Sequence, residues 1–151
     1  MTIRRYAEAD HDAVFALHNL ALDAVGAHAG NGPWDDDLHH VREIYLEAGG
    51  EFLVGEVNGQ IVAMGALRRL GPDRGAITRM RVHPDHQRRG YGRSILEQLE
   101  ECAAALGIGG LTLDTTVGQT AAQGLYEGMG YAETGRTASH GFRVILYEKR
   151  L

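Results

Sequence analysis

The stretch Glu51 to Leu70, "EFLVGEVNGQIVAMGALRRL", sets two apolar, β-branched runs on either side of Asn58-Gly59. Asn-Gly suits the φ > 0 positions of a two-residue hairpin, so the pair dictates two neighbouring antiparallel strands in a fixed register. "GAITRMRVHP" reads as a further strand ended by Pro84, with Thr78, Met80 and Val82 on one face and Ile77, Arg79 and Arg81 on the other. A helix from Gly90 to about Leu106 and a fifth strand, "LTLDTT", follow. Strands joined through a helix run parallel, so the sheet must change character at this point. Thr2 to Tyr6 supplies a first strand, and "YAETGRTA" and "FRVILYEKR" a closing pair. The order is strand, two helices, three strands, helix, strand, helix, two strands. That pattern predicts an α/β (α+β) sandwich around a mixed sheet, antiparallel over its first strands and parallel where helices cross over.

The helices are read from their apolar stripes. Val14, Leu17, Ala21 and Val25 share one face of the first, with His18 beside them as a satisfied core or boundary residue. "GAHAGNGPWDDD" breaks that helix, and Asp35, Asp36 and Asp37 cap a second whose apolar face is Leu38, Val41, Tyr45 and Ala48. Gln119 to Met129 forms a shorter helix containing Gly124 and Gly128, so its stability must come from packing or from a ligand. The single cysteine, Cys102, excludes an internal disulfide and shares a stripe with Ile95, Leu99 and Leu106, a core position. A chain of 151 residues, 44% apolar, fits one domain over 1–151. No apolar run approaches the ~18 residues that span a bilayer, and "MTIRRYAEAD" turns acidic where a signal peptide would be apolar. A cytoplasmic chain without membrane contact is the expectation.

Charge is unevenly spread. The net charge is −5, yet Arg68 to Arg93 holds eight arginines against Asp73 and Asp85. Only Tyr91 offers an aromatic face inside that basic segment, so nucleic acid is not the expected partner. Within it, "HPDHQRRGYGRSIL" follows a strand and opens a helix, leaving free main-chain N–H groups at a helix N-terminus. Gly90 and Gly92 let a ligand approach the backbone, while Arg88, Arg89 and Arg93 can bond phosphate oxygens. A pyrophosphate fits this description better than a carboxylate. No G-x-x-x-x-G-K-[ST] occurs, and "GYGRSIL" lacks the third glycine of a dinucleotide fingerprint. His83 and His86 have no carboxylate or cysteine support, so no metal site is expected.

The spacing Gln87-x-x-Gly90-x-Gly92 after "VHP" resembles the acetyl-CoA motif of the GNAT superfamily of N-acetyltransferases, [Q/R]-x-x-G-x-[G/A]. "QTAAQGLYEGMGY" is similar to a later segment of that family, with Gln119 where Asn is common and Ala122, Leu125, Tyr126 and Gly130-Tyr131 in place. The resemblance implies a sheet of six or seven strands flanked by helices on both faces, its fourth and fifth strands splayed. It also implies an acyltransferase with acetyl-CoA as cosubstrate and an amine acceptor. Met80, Arg81 and Val82 would pair with the pantetheine arm, Gln87, Arg88, Arg89, Gly90, Tyr91, Gly92, Arg93 and Ser94 would hold the pyrophosphate, and Gln119 and Tyr126 would contact the cofactor. Tyr126 would be the general acid. Homodimers are common in the family.

The resemblance departs at one place: Ala76 stands where relatives often carry a glutamate base. Asp114, His83 or a relayed water remain as bases. The resemblance implies that "HAGNGPWDDDLHH" lies on the acceptor side, where Trp34 can wall a pocket and Asp35 to Asp37 can draw in an ammonium. The acidic body suits a small cationic amine or an amino acid's α-amino group, and a peptide N-terminus stays open. The alternative function is an acyl-CoA-binding sensor or interaction module without turnover.

Overall fold

The Asn58-Gly59 hairpin forms as expected, joining β2 (Glu51–Val57) to β3 (Gln60–Arg69) with both turn residues at positive φ, 51° and 77°. The computed structural model describes residues 1–151 and places these strands in a seven-stranded sheet. The others are β1 (Thr2–Arg5), β4 (Arg74–Val82), β5 (Gly110–Thr116), β6 (Ala132–Ser139) and β7 (Phe142–Arg150), in the order β1-β2-β3-β4-β5-β7-β6. Every neighbouring pair is antiparallel except β4 and β5. The helix α2 (Tyr91–Ala105) supplies the crossover that this one parallel pair requires.

Strand alternation splits the core into two layers. Leu53, Leu67, Ile77 and Leu111 meet Ile95, Leu96, Leu99 and Ala103 of α2, together with Tyr126 of α3 (Thr120–Gly128). Phe52, Val54 and Met64 point the other way, onto Val14 and Leu17 of α1 (His11–Ala24). Leu106, expected on the α2 stripe, is exposed and Cys102 only half-buried; Leu96 and Ala103 complete the stripe instead. No helix is long and apolar enough to cross a membrane.

The second expected helix is replaced by a 3-10 turn (Pro33–His39) and a π-helical turn (Arg42–Leu46). Leu38, Val41 and Tyr45 are buried as expected, but Ala48 is exposed. The Asp35 to Asp37 run caps nothing: Gly32 is the N-cap, and no side-chain cap bond forms. Wide bonds from Glu47 N–H to the Arg42 carbonyl (2.7 Å) and from Gly50 N–H to the Tyr45 carbonyl (2.8 Å) close the π turn. That geometry brings the Tyr45 hydroxyl to Asp37 Oδ2 (2.6 Å) and Thr78 Oγ1 (3.1 Å).

A β-bulge in β4 changes the expected facing. Met64 pairs with Arg81 but Ala66 pairs with Thr78, so Arg79 and Met80 share the space opposite Gly65, and Arg79 takes φ 58°. Ile77 therefore lies on the α2 face with Met80 and Val82, while Thr78 joins Arg79 and Arg81 on the α1 face. Gly65 is required by this arrangement, since a Cβ there would run into Met80, Ile95 and Leu99.

Candidate active site

The parallel pair parts early. β4 and β5 are in register only at Arg74–Gly110, Gly75–Leu111 and Ala76–Thr112, while β5 stays with β7 as far as Thr116 and β4 with β3 as far as Val82. The main chain of β4 beyond Ala76 thus has no strand partner on its β5 side. The opened V lies beside the α2 N-terminus, and the two features together form a cleft.

Past Val82, Pro84 ends the strand and a short 3-10 turn (Pro84–His86) follows, with His83 Nδ1 accepting from Asp85 N–H (3.1 Å). Arg88 (φ 62°) and Gly90 (φ 78°) then bend the chain into α2 through left-handed conformations. None of the main-chain N–H groups from Gln87 to Arg93 donates to a protein acceptor. Gln87, Arg88 and Gly90 to Arg93 line a cavity of about 450 Å³. All the residues expected to hold acetyl-CoA line it except Arg89, which is exposed, and Ser94, whose hydroxyl donates to the Gly90 carbonyl (3.0 Å). Arg93 is shared with Glu97 (2.9 Å) in an exposed pair that competes weakly with a ligand.

A second cavity, of about 530 Å³, opens on the α1 side of the splayed strands. Trp34 walls it, its indole donating to the Gly30 carbonyl (2.9 Å) and its ring lying 4.7 Å from that of His140 in the β6–β7 turn. Arg79 bonds Asp37 through Nε (2.9 Å) and Nη2 (2.6 Å). His18 donates from Nε2 to Asp35 Oδ1 (3.1 Å), because its Nδ1 accepts from Arg81 Nε (3.3 Å). Asp35 Oδ2 is buried without a partner. Sequence reading missed this network, although its signal was there: two aspartates two residues apart and two arginines two residues apart.

His18 is 2% exposed, and burial, reinforced by Arg81 and Arg79, pushes its pKa down to about 3. The unfolded chain therefore takes up this proton first as pH falls, and stability present above pH ~6.5 is lost progressively toward pH 3. Urea unfolding at pH 6.5 and 5 should show about 1.6 kcal/mol lost to this one group. His18→Gln, whose amide can also accept from Arg81 and donate to Asp35, should flatten the slope; an unchanged slope would assign it elsewhere.

The cavities meet at Met80, Arg81, Gln119 and Tyr126, which line both. The Tyr126 hydroxyl has no protein partner at this junction, and burial pushes its pKa up to about 12. Asp114 lines the second cavity without a hydrogen bond, and burial, partly offset by Arg81 and Arg79, holds its carboxyl above the usual range. His83 lines neither cavity.

A model of the acetyltransferase (GNAT) family matches residues 14–131. An acetyltransferase of Yersinia pestis is 32% identical over 114 residues, covering 76% of this chain and 79% of that one. The ribosomal protein bS18-alanine N-acetyltransferase of Escherichia coli is 34% identical over 76 residues, about half of each chain. Among solved structures, a GNAT-family acetyltransferase of Staphylococcus aureus superposes with a TM-score of 0.91 at 20% identity, over 99% of this chain and 98% of that one. The yncA protein of Salmonella typhimurium, solved with its cofactor acetyl-CoA, superposes with a TM-score of 0.81 at 22% identity, over 99% and 93%.

Proposed function

The chain belongs to the acetyltransferase (GNAT) family of N-acetyltransferases, and on that premise we propose that it moves the acetyl group of acetyl-CoA to a primary amine of a small molecule or amino acid by direct attack, as one domain spanning 1–151. The observation that carries this reading is the junction of the two cavities at Met80, Arg81, Gln119 and Tyr126. One cavity has the free N–H groups of a helix start, suited to a pyrophosphate, and the other has carboxylates suited to an amine. Only at their junction do an acyl donor and an acceptor meet.

Each role follows from what a side chain or main-chain group has free. The N–H groups from Gln87 to Arg93, with Arg88 and Arg93, bind the pyrophosphate. The unpaired edge of β4 from Met80 to Val82 takes the pantetheine arm as an added strand and offers an N–H to the developing oxyanion. Tyr126 donates its hydroxyl hydrogen to the departing sulfur. Asp114 draws in the ammonium, whose ordinary pKa near ~10.4 leaves it protonated at neutral pH, and passes its proton toward solvent. Asp114 is favoured over His83 because it lines the acceptor cavity and has every lone pair free.

Calorimetric titration with acetyl-CoA, ATP and NAD tests the reading, followed by thiol release with a panel of amines. Selective acetyl-CoA binding with amine-dependent thiol release is expected. Equal binding of all three nucleotides, or none, would reduce the turn at Gly90 to a generic polyanion patch.

A further inference from the structure

We propose that the acceptor is a free α-amino acid, its carboxylate bound by the Arg81 guanidinium and its amine lying at Asp114. This rests on the acetyl-transfer reading above and narrows its acceptor. Arg81 stands on β4 where the cavities meet, and its bonds go to His18 Nδ1 and to the Met80 carbonyl (2.8 Å). No carboxylate lies within ion-pair distance of it; Asp37 is taken by Arg79, and Asp35 reaches Arg81 only through the His18 imidazole. A neutral imidazole aims a guanidinium without neutralising it. Nη2 is left with no protein acceptor, and burial, reinforced by Arg79 and only partly offset by Tyr126, Asp114 and Asp35, pushes the Arg81 pKa down to about 10.

A half-buried guanidinium with a free N–H and no counter-ion is open to an anion, so the site is completed by whatever anion enters it. The thioester and amides of acetyl-CoA that would reach this junction are neutral. A simple cationic amine would set a second positive charge beside Arg81. A peptide N-terminus offers only a neutral carbonyl next to its amine. An α-amino acid brings a carboxylate two bonds from the amine, one group for the free Nη2 of Arg81 on β4 and the other for the unpartnered Asp114 on β5, both of which line this cavity.

The test measures kcat/KM at saturating acetyl-CoA for each of the twenty amino acids beside its α-amide and its decarboxylated amine. At least one acid should exceed both of its analogues by about 100-fold, the scale of a charge-assisted pair. In Arg81→Gln that ratio should fall below about ten, with Arg81→Lys, which keeps the charge but loses the fork, in between. Each ratio is taken within one enzyme, so changes in folding or acetyl-CoA affinity cancel. Faster turnover of amides or amines, or a ratio that survives Arg81→Gln, overturns the assignment and leaves acetyl transfer standing. Thiol release with no acceptor at all overturns both.

Discussion

Asp37→Asn is expected to lower folding stability by about 3 kcal/mol, the low end for removing one partner of a buried charge pair. The Asp37 and Arg79 side chains are 11% and 16% exposed, so solvent screens little of their attraction. Burial alone would push the Asp37 carboxyl up, but the two Arg79 bonds and the Tyr45 hydroxyl more than offset it, leaving it below its ordinary range. An asparagine keeps the shape and cancels the charge, so Arg79 is left buried with the Trp34 carbonyl (2.7 Å) and an Asp35 oxygen 3.6 Å away. Arg79 also occupies a left-handed conformation that costs a non-glycine residue roughly 1–2 kcal/mol, and these bonds are what hold it there. Urea unfolding at pH 7 measures the effect, and the melting temperature should fall by about 6–12 °C. The double variant Asp37→Asn, Arg79→Gln should recover part of the loss, since no uncompensated charge remains. A single-variant loss under ~1 kcal/mol would mean that water already screens the pair.

That same pair marks where sequence and structure diverge. The hairpin at Asn58-Gly59, most of the α2 stripe and the helix start after Gly90 were legible because each is specified by residues close in the chain: a turn type, a helical period, a helix start. The facing of β4 was not legible. Strict alternation puts Ile77 with Arg79, and only the placement of Gly65 on the neighbouring strand, with room for Met80 above it, shows that a residue must be accommodated. The aspartate run was misread for a related reason. Three acids before an apolar stripe fit a helix cap locally, but the arginine and histidine they serve lie 42 and 17 residues away. Of the two side chains named as candidate bases, only Asp114 lines the second cavity, beside the early parting of β4 and β5, and that parting is a feature of the sheet and not of any local motif. The excess acidity likewise reads differently in three dimensions. Asp35 and Asp37 in the wall of the second cavity are already bonded, while Asp114 and Glu148 line it without a hydrogen bond.

Tyr126→Phe is expected to lower kcat by about 100-fold, the low end for loss of a positioned proton donor, with acetyl-CoA affinity within about threefold. The ring packs edge-on to Tyr131 (6.0 Å between centroids) and beside Tyr147 (6.2 Å), contacts that phenylalanine keeps, so the fold and the cofactor cavity should survive. The size of the effect follows from the hydroxyl's acidity. With its pKa near 12, full proton transfer to a thiolate whose acid form lies near ~8.5 is uphill by about 5 kcal/mol. In the proposed mechanism Tyr126 therefore stabilises the departing sulfur chiefly by a hydrogen bond as charge builds on it, and the released thiolate takes its proton from water. The pH profile separates this from a proton donor that titrates in the working range. A hydroxyl held protonated to about pH 12 gives no alkaline limb of its own below pH 10, so wild type and Tyr126→Phe should have parallel kcat profiles there, offset by the same factor. An unchanged kcat would make Tyr126 a packing residue, and a loss confined to acetyl-CoA binding would make it a cofactor contact without a part in the chemistry.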